Sequence, residues 1–101
     1  MVSLTQENMS REPLFNFDIL SDYFYYIALL DMLAGIPFNQ IENSLLHYKD
    51  REMYEACDGI DRALREAENY TIRQLEARII EFEQENKDKI ENEFSKLEMY
   101  L

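Results

Sequence analysis

Phe17, Leu20, Phe24, Ile27, Leu30 and Ala34 recur every three or four residues, the spacing of one face of a helix. Tyr23, Tyr25, Tyr26, Leu29, Met32 and Leu33 widen that stripe until the segment is apolar nearly all round. The pattern predicts a first helix running to about Ala34, capped by Asn16 or Asp18. If Asn16 is the cap, Phe15 can pack against Leu20 as a hydrophobic staple. A helix apolar on every side is either central to a core or covered by a partner. Gly35-Ile36-Pro37 predicts its end, because Gly suits the position after the last helical residue and Pro opens a helix better than it continues one. A second helix is expected over about Pro37 to Tyr48, with Phe38, Ile41, Leu45 and Tyr48 on one face. Lys49-Asp50 then forms a corner, and Asp50 is the expected cap of the next helix.

From Arg51 the pattern is helical to the end of the chain. Met53, Cys57, Ile60, Leu64 and Ala67 alternate spacings of four and three. After a phase shift near Tyr70, Ile72, Leu75, Ile79 and Phe82 resume the alternation. This is the seam of a helical hairpin or coiled coil. Glu83 to Lys89 contains no apolar residue, and Ile90, Phe94, Leu97 and Leu101 then restore the stripe. Two readings fit: one helix of about 50 residues, roughly 75 Å long, or a break near Asn86 to Asp88 with a last helix folded back. Asp58/Arg62, Asp61/Arg65, Glu83/Lys87 and Glu85/Lys89 are charge pairs four apart and favour continuity. Gly59 weakens the helix and marks a candidate kink. The favoured expectation is a long helix bent near Asn86, whose uncovered seam calls for a dimer or a partner.

The chain has 101 residues, with only two glycines and two prolines, too few for the tight turns of a β-rich fold. The expected fold class is therefore all-α: a flexible arm at 1–15, then one helical domain at 16–101. That domain divides into a head at 16–48 with a helix-turn-helix-like corner, and a long helix or hairpin at 51–101.

Charge changes the picture more than length does. Acidic residues outnumber basic ones 21 to 10, for a formal net charge of −11. Phosphate backbones and anionic membranes are bound chiefly through Lys and Arg, so this balance disfavours both. It favours a protein partner with a basic surface, reached by electrostatically steered encounter. Cys57 stands alone, which rules out an internal disulfide and suits a reducing compartment. No basic stretch followed by an apolar run is visible at the N-terminus, and the apolar stretch from Tyr23 is about half a membrane span. A cytoplasmic protein is the expectation.

No catalytic constellation assembles from these residues. His47 and Cys57 are the sole members of their types, whereas zinc sites take several such ligands. Two glycines cannot make a phosphate-cradling loop. On a helix, Glu81 and Glu85 share a face from which Glu83 points away, so the three carboxylates do not converge. Asn69-Tyr70-Thr71 matches a glycosylation acceptor, which a cytoplasmic chain would leave unused. The reading is non-enzymatic, with no catalytic, cofactor or metal-binding residues.

Leu30 to Leu45, LDMLAGIPFNQIENSL, resembles the helix-turn-helix family over about a fifth of the chain. The resemblance implies that Asn39, Gln40, Asn43 and Ser44 face base edges. It departs from the family at Asp31, where a small residue usually packs, and in having no Lys or Arg before Lys49. In size, charge and want of catalytic residues the chain also resembles small acidic phage inhibitors, including anti-CRISPR proteins and other mimics of nucleic acid. That resemblance implies a stoichiometric inhibitor or adaptor whose acidic face engages a basic, nucleic-acid-binding surface of its partner. Candidate contacts are Asp58, Asp61, Glu66, Glu68, Glu76, Glu81, Glu83 and Glu85, with Tyr25 and Tyr26 as aromatic anchors. The alternatives are a helix-turn-helix regulator dimerising through its long helix, and a structural homo-oligomer or assembly chaperone.

Overall fold

The computed structural model describes residues 17–100. The chain forms α1 (Phe17–Leu33), α2 (Phe38–Asp50), α3 (Tyr54–Ala67), α4 (Ile72–Glu85), a π-helical segment (Lys89–Phe94) and α5 (Ser95–Tyr100), with no strand among the described residues. The fold is all-α, as the sparse Gly and Pro content predicts. The expected arm at 1–15, the Asn16 cap, the Phe15 staple and Leu101 lie outside the described residues.

The near-continuous apolarity of α1 is explained by its position. It is the central helix, packed against α2, α3, α4 and the π-helical segment. Tyr23, Phe24 and Tyr25 are all buried although consecutive residues of a helix point in different directions. Its closest neighbour is α3, which turns Ala56, Gly59, Ile60, Ala63 and Ala67 inward. The buried face of α3 is thus built mostly of small residues. The expected seam of Met53, Cys57, Ile60, Leu64 and Ala67 is rotated, so that Met53, Cys57 and Leu64 are only half-buried. The reason is volume: the aromatic bulk of α1 needs a thin partner, and small side chains let the two backbones approach. Gly59 marks no kink. A Cβ at that position would stand 2.7 Å from the Tyr25 backbone nitrogen and closer still to the Ser21 carbonyl oxygen.

The helix ends follow local chemistry. At the end of α1, the Gly35 N–H donates to the Met32 carbonyl and the Ile36 N–H to the Asp31 carbonyl, both at 3.0 Å. Gly35 adopts φ +92°, completing a Schellman closure where the Gly-Ile-Pro run predicts one. The next corner differs from expectation. Helix α2 runs through Asp50, and the chain turns at Arg51 to Met53, with Glu52 at φ 58° in the left-handed region. Asp50 is therefore the last residue of α2 and not the cap of α3, whose N-cap is Met53 without a side-chain bond.

The C-terminal half is not one long helix. Helix α3 stops at Ala67, and Glu68 to Tyr70 separate it from α4. Thr71 Oγ1 accepts from the Gln74 N–H at 3.1 Å while Gln74 Oε1 accepts from the Thr71 N–H at 2.9 Å, a reciprocal capping box. This restart lets both helices lie on α1. A second break falls where expected, at Asn86, which ends α4 and bonds the Phe82 carbonyl through both its backbone N–H and its side-chain amide. The π-helical segment then resets the phase of the stripe, so that Phe94 and Leu97 both reach the core. The Phe94 ring lies 5.3 Å from that of Tyr23, closing the C-terminal segment onto α1.

Candidate functional site

Helix α1 carries a short polar run along the side it shows to α3 and α4. Ser21 donates to Asp58 at 2.5 Å. Asp22 is clamped between Arg62 at 2.9 Å and Lys89 at 3.0 Å, so one carboxylate ties together three segments. The Tyr25 hydroxyl donates to Glu66 and accepts from Arg78 Nε at 2.8 Å. Arg78 also reaches Glu66 at 3.3 Å, Glu81 at 2.6 Å and Glu85 at 3.6 Å. Tyr26 donates to Glu83 at 2.5 Å while its ring stacks on Phe82. The Arg62 guanidinium covers the Tyr25 ring at 4.2 Å, a cation–π contact that needs no further hydrogen bond.

Electrostatics follow from this packing. Burial first, then donation to Glu66, pushes the Tyr25 phenol up to about 12. Tyr26 is pushed up to about 12 by burial and then by its bond to Glu83. Burial works against the charge of Arg78, but its bonds to Tyr25 and Glu81 prevail and hold the guanidinium above its ordinary value. These groups are fixed donors and acceptors at neutral pH, suited to locking helices together.

The residues expected to meet a partner divide in two. Tyr25 is 1% exposed and belongs to the core, and Tyr26 is half-buried and packs against it. Tyrosines between two apolar neighbours on a central helix bury their rings and spend their hydroxyls at the core edge. Glu66, Glu81, Glu83 and Glu85 are engaged with Arg78 or Tyr26, Asp58 with Ser21, and Asp61 with Arg65 at 2.9 Å. Glu68 and Glu76 are exposed and have no side-chain partner among the described residues. Of the expected pairs four apart, Asp61/Arg65 forms. Arg62 and Lys89 instead cross to Asp22 and Glu83 turns to Tyr26, because a partner on a packed neighbour is better held than one along the same exposed face. Glu85 turns back along its own helix to Arg78.

The outer surface adds an open groove of about 540 Å³ between the start of α1, the end of α2 and the start of α3. Phe17, Leu45, Leu46, Tyr54 and Cys57 supply its apolar side, and Asp58 and Asp61 its acidic edge. The Cys57 thiol is half-buried, lies 3.6 Å from the Leu45 carbonyl oxygen to which it donates, and is pushed up chiefly by burial. That combination disfavours a reactive thiolate. Among the described residues, no three His, Cys, Asp or Glu side chains are grouped to hold a metal ion, and no helix is long and apolar enough to cross a membrane.

No protein-family model, curated protein or solved structure matches this chain.

The corner at Leu30 to Leu45 consists of α1, its Schellman turn and α2. Helix α2 makes far more of its packing with α3 than with α1. Asn39, Gln40 and Asn43 are exposed and Ser44 is half-buried, its hydroxyl returned to the Ile41 carbonyl at 2.5 Å. Sequence reasoning missed Asp22 and Arg78, the two hubs of the polar network. Arg78 carries a faint signal, since it stands in the stripe side of α4 between Leu75 and Phe82. Asp22 carries none, because both its partners come from distant parts of the chain.

Proposed function

We propose that this chain is a non-enzymatic binding module, a stoichiometric inhibitor or adaptor that engages a basic surface of a protein partner, in the manner of small acidic phage inhibitors. One observation carries the reading. Arg62, Arg65, Arg78 and Lys89 are held in ion pairs within the chain, while carboxylates such as Glu68 and Glu76 face solvent without an ion pair among the described residues. Each such pair removes charge of both signs alike, so the excess of 21 acidic over 10 basic residues remains as a net negative field. Such a field attracts positive surfaces and accelerates their encounter. The exposed face of α2, with no cation before Lys49, offers little to neutralise phosphates, which ranks DNA binding lower.

Affinity capture with the tagged chain tests this reading, in lysate with and without nuclease and at low and moderate salt. Recovery of one basic protein in stoichiometric amount, insensitive to nuclease and lost as salt rises, is the expected result. Recovery that disappears with nuclease would favour the DNA-binding alternative, and recovery of the chain alone would favour the homo-oligomer.

A further inference from the structure

Beneath the corner between α1 and α2 lies a partly enclosed cavity of about 110 Å³. That is well above the ~10–15 Å³ that a single water occupies on the same measure. Its walls are mostly apolar, from Ile27, Ile41 and Ile60 and the rings of Phe24 and Tyr48, which meet edge-on at 5.2 Å. Asp31 and Ser44 place a carboxylate and an alcohol in its lining. The Ser44 hydroxyl donates to the Ile41 carbonyl. The Asp31 carboxylate has no ion pair or side-chain hydrogen bond among the described residues.

This carboxylate is badly placed for stability alone. It is half-buried, and burial pushes its pKa up. It also stands in the last turn of α1, where the helix dipole opposes negative charge and no basic side chain offsets it. A partly desolvated, unpaired carboxylate beside two aromatic rings and an unfilled apolar space has the elements that recognise an organic cation. The carboxylate supplies the counter-charge, the aromatic rings favour positive charge near their faces, and the aliphatic wall accepts a hydrocarbon chain. We propose that this cavity is a binding site for an alkylammonium group, with Asp31 as the charge partner and Phe24 and Tyr48 as the aromatic wall. The group can come from a free amine or from a lysine side chain of a partner protein. The site lies apart from Glu68 and Glu76 in sequence and needs neither of them, so it stands or falls separately from the acidic surface.

The test titrates the full chain with butylammonium chloride and, in parallel, with 1-butanol, following backbone amide signals of Ile41, Ser44 and Tyr48 by NMR. The same titrations are made on Asp31→Asn, which keeps the side-chain shape and removes the charge. Saturable shifts with butylammonium, about tenfold weaker binding of butanol, and loss of that preference in Asp31→Asn are expected. Equal binding of the two compounds, a preference that survives Asp31→Asn, or no saturable shift with butylammonium would overturn the assignment. A third titration with N-acetyl-lysine methylamide separates the sources. Binding as tight as butylammonium supports a protein-borne lysine, and much weaker binding supports a free amine.

Discussion

Gly59 of α3 lies directly against the backbone of α1 at Tyr25, with room for a hydrogen but none for a methyl group: a Cβ would stand 2.7 Å from the Tyr25 nitrogen. The two helices are therefore separated by little more than the thickness of their own backbones at this point. An alanine there would have to push α3 away from α1, because backbone atoms cannot rotate aside as a flexible side chain can.

Gly59→Ala is accordingly expected to reverse the usual sign of this substitution. In an open helix it would stabilise by about 1 kcal/mol. Here overpacking of about 1–3 kcal/mol opposes that gain, so the net effect is a loss. Thermal unfolding followed by circular dichroism checks it: Tm falls in the variant, whereas a rise in Tm would show that the helices can part without cost.

The ion pairs should differ sharply in weight. Arg78 is 23% exposed and serves Tyr25, Glu66, Glu81 and Glu85, whereas Arg65 is 79% exposed and, among the described residues, serves Asp61 alone. Arg78→Gln leaves a buried phenol and its carboxylates without their donor and is expected to cost about 1–3 kcal/mol. Arg65→Gln should stay within ~0.5 kcal/mol. Urea unfolding of the two variants measures the contrast, and similar midpoints would remove Arg78 from its place as the hub.

Alkaline pH should unlock the same seam. The folded chain keeps the Tyr25 and Tyr26 protons up to about 12, while an unfolded tyrosine loses its proton near 10.0. Between those values the unfolded state binds fewer protons, so stability present below the lower value declines as pH rises through the window. The slope is about 1.4 kcal/mol per pH unit for each such group. Tyr26→Phe removes one group's share, so its stability should fall less steeply than that of the wild type over this range. Parallel pH profiles for the two proteins would contradict the assignment of Tyr26.

These relationships mark the limit of what periodicity reveals. The three-and-four spacing of α1, the Gly-Ile-Pro stop and the resumption of the stripe at Ile90 were all legible, because they depend on residues close in sequence. The restart of α4 was also written locally, as Thr71 and Gln74 three residues apart. Periodicity masks it, since Ile72, Leu75, Ile79 and Phe82 resume the three-and-four spacing after Tyr70 and read as a continuing seam. The depth of Tyr25, the clamp on Asp22 and the close approach at Gly59 depend on which helix lies opposite. No pattern along a single segment encodes that. The candidate surface suffered most, because a carboxylate aimed at solvent and one aimed at a distant arginine look the same in sequence.

The proposed function requires that unpartnered outward carboxylates, and not the internally paired ones, bring this chain to a basic partner. Its most direct test is capture from nuclease-treated lysate at low salt by the wild type and by Glu68→Lys/Glu76→Lys, both confirmed to share the same Tm. The wild type is expected to retain a basic protein and the double variant to recover it at severalfold lower yield, since reversal of exposed charge slows association. Equal recovery by the two proteins would contradict the proposal.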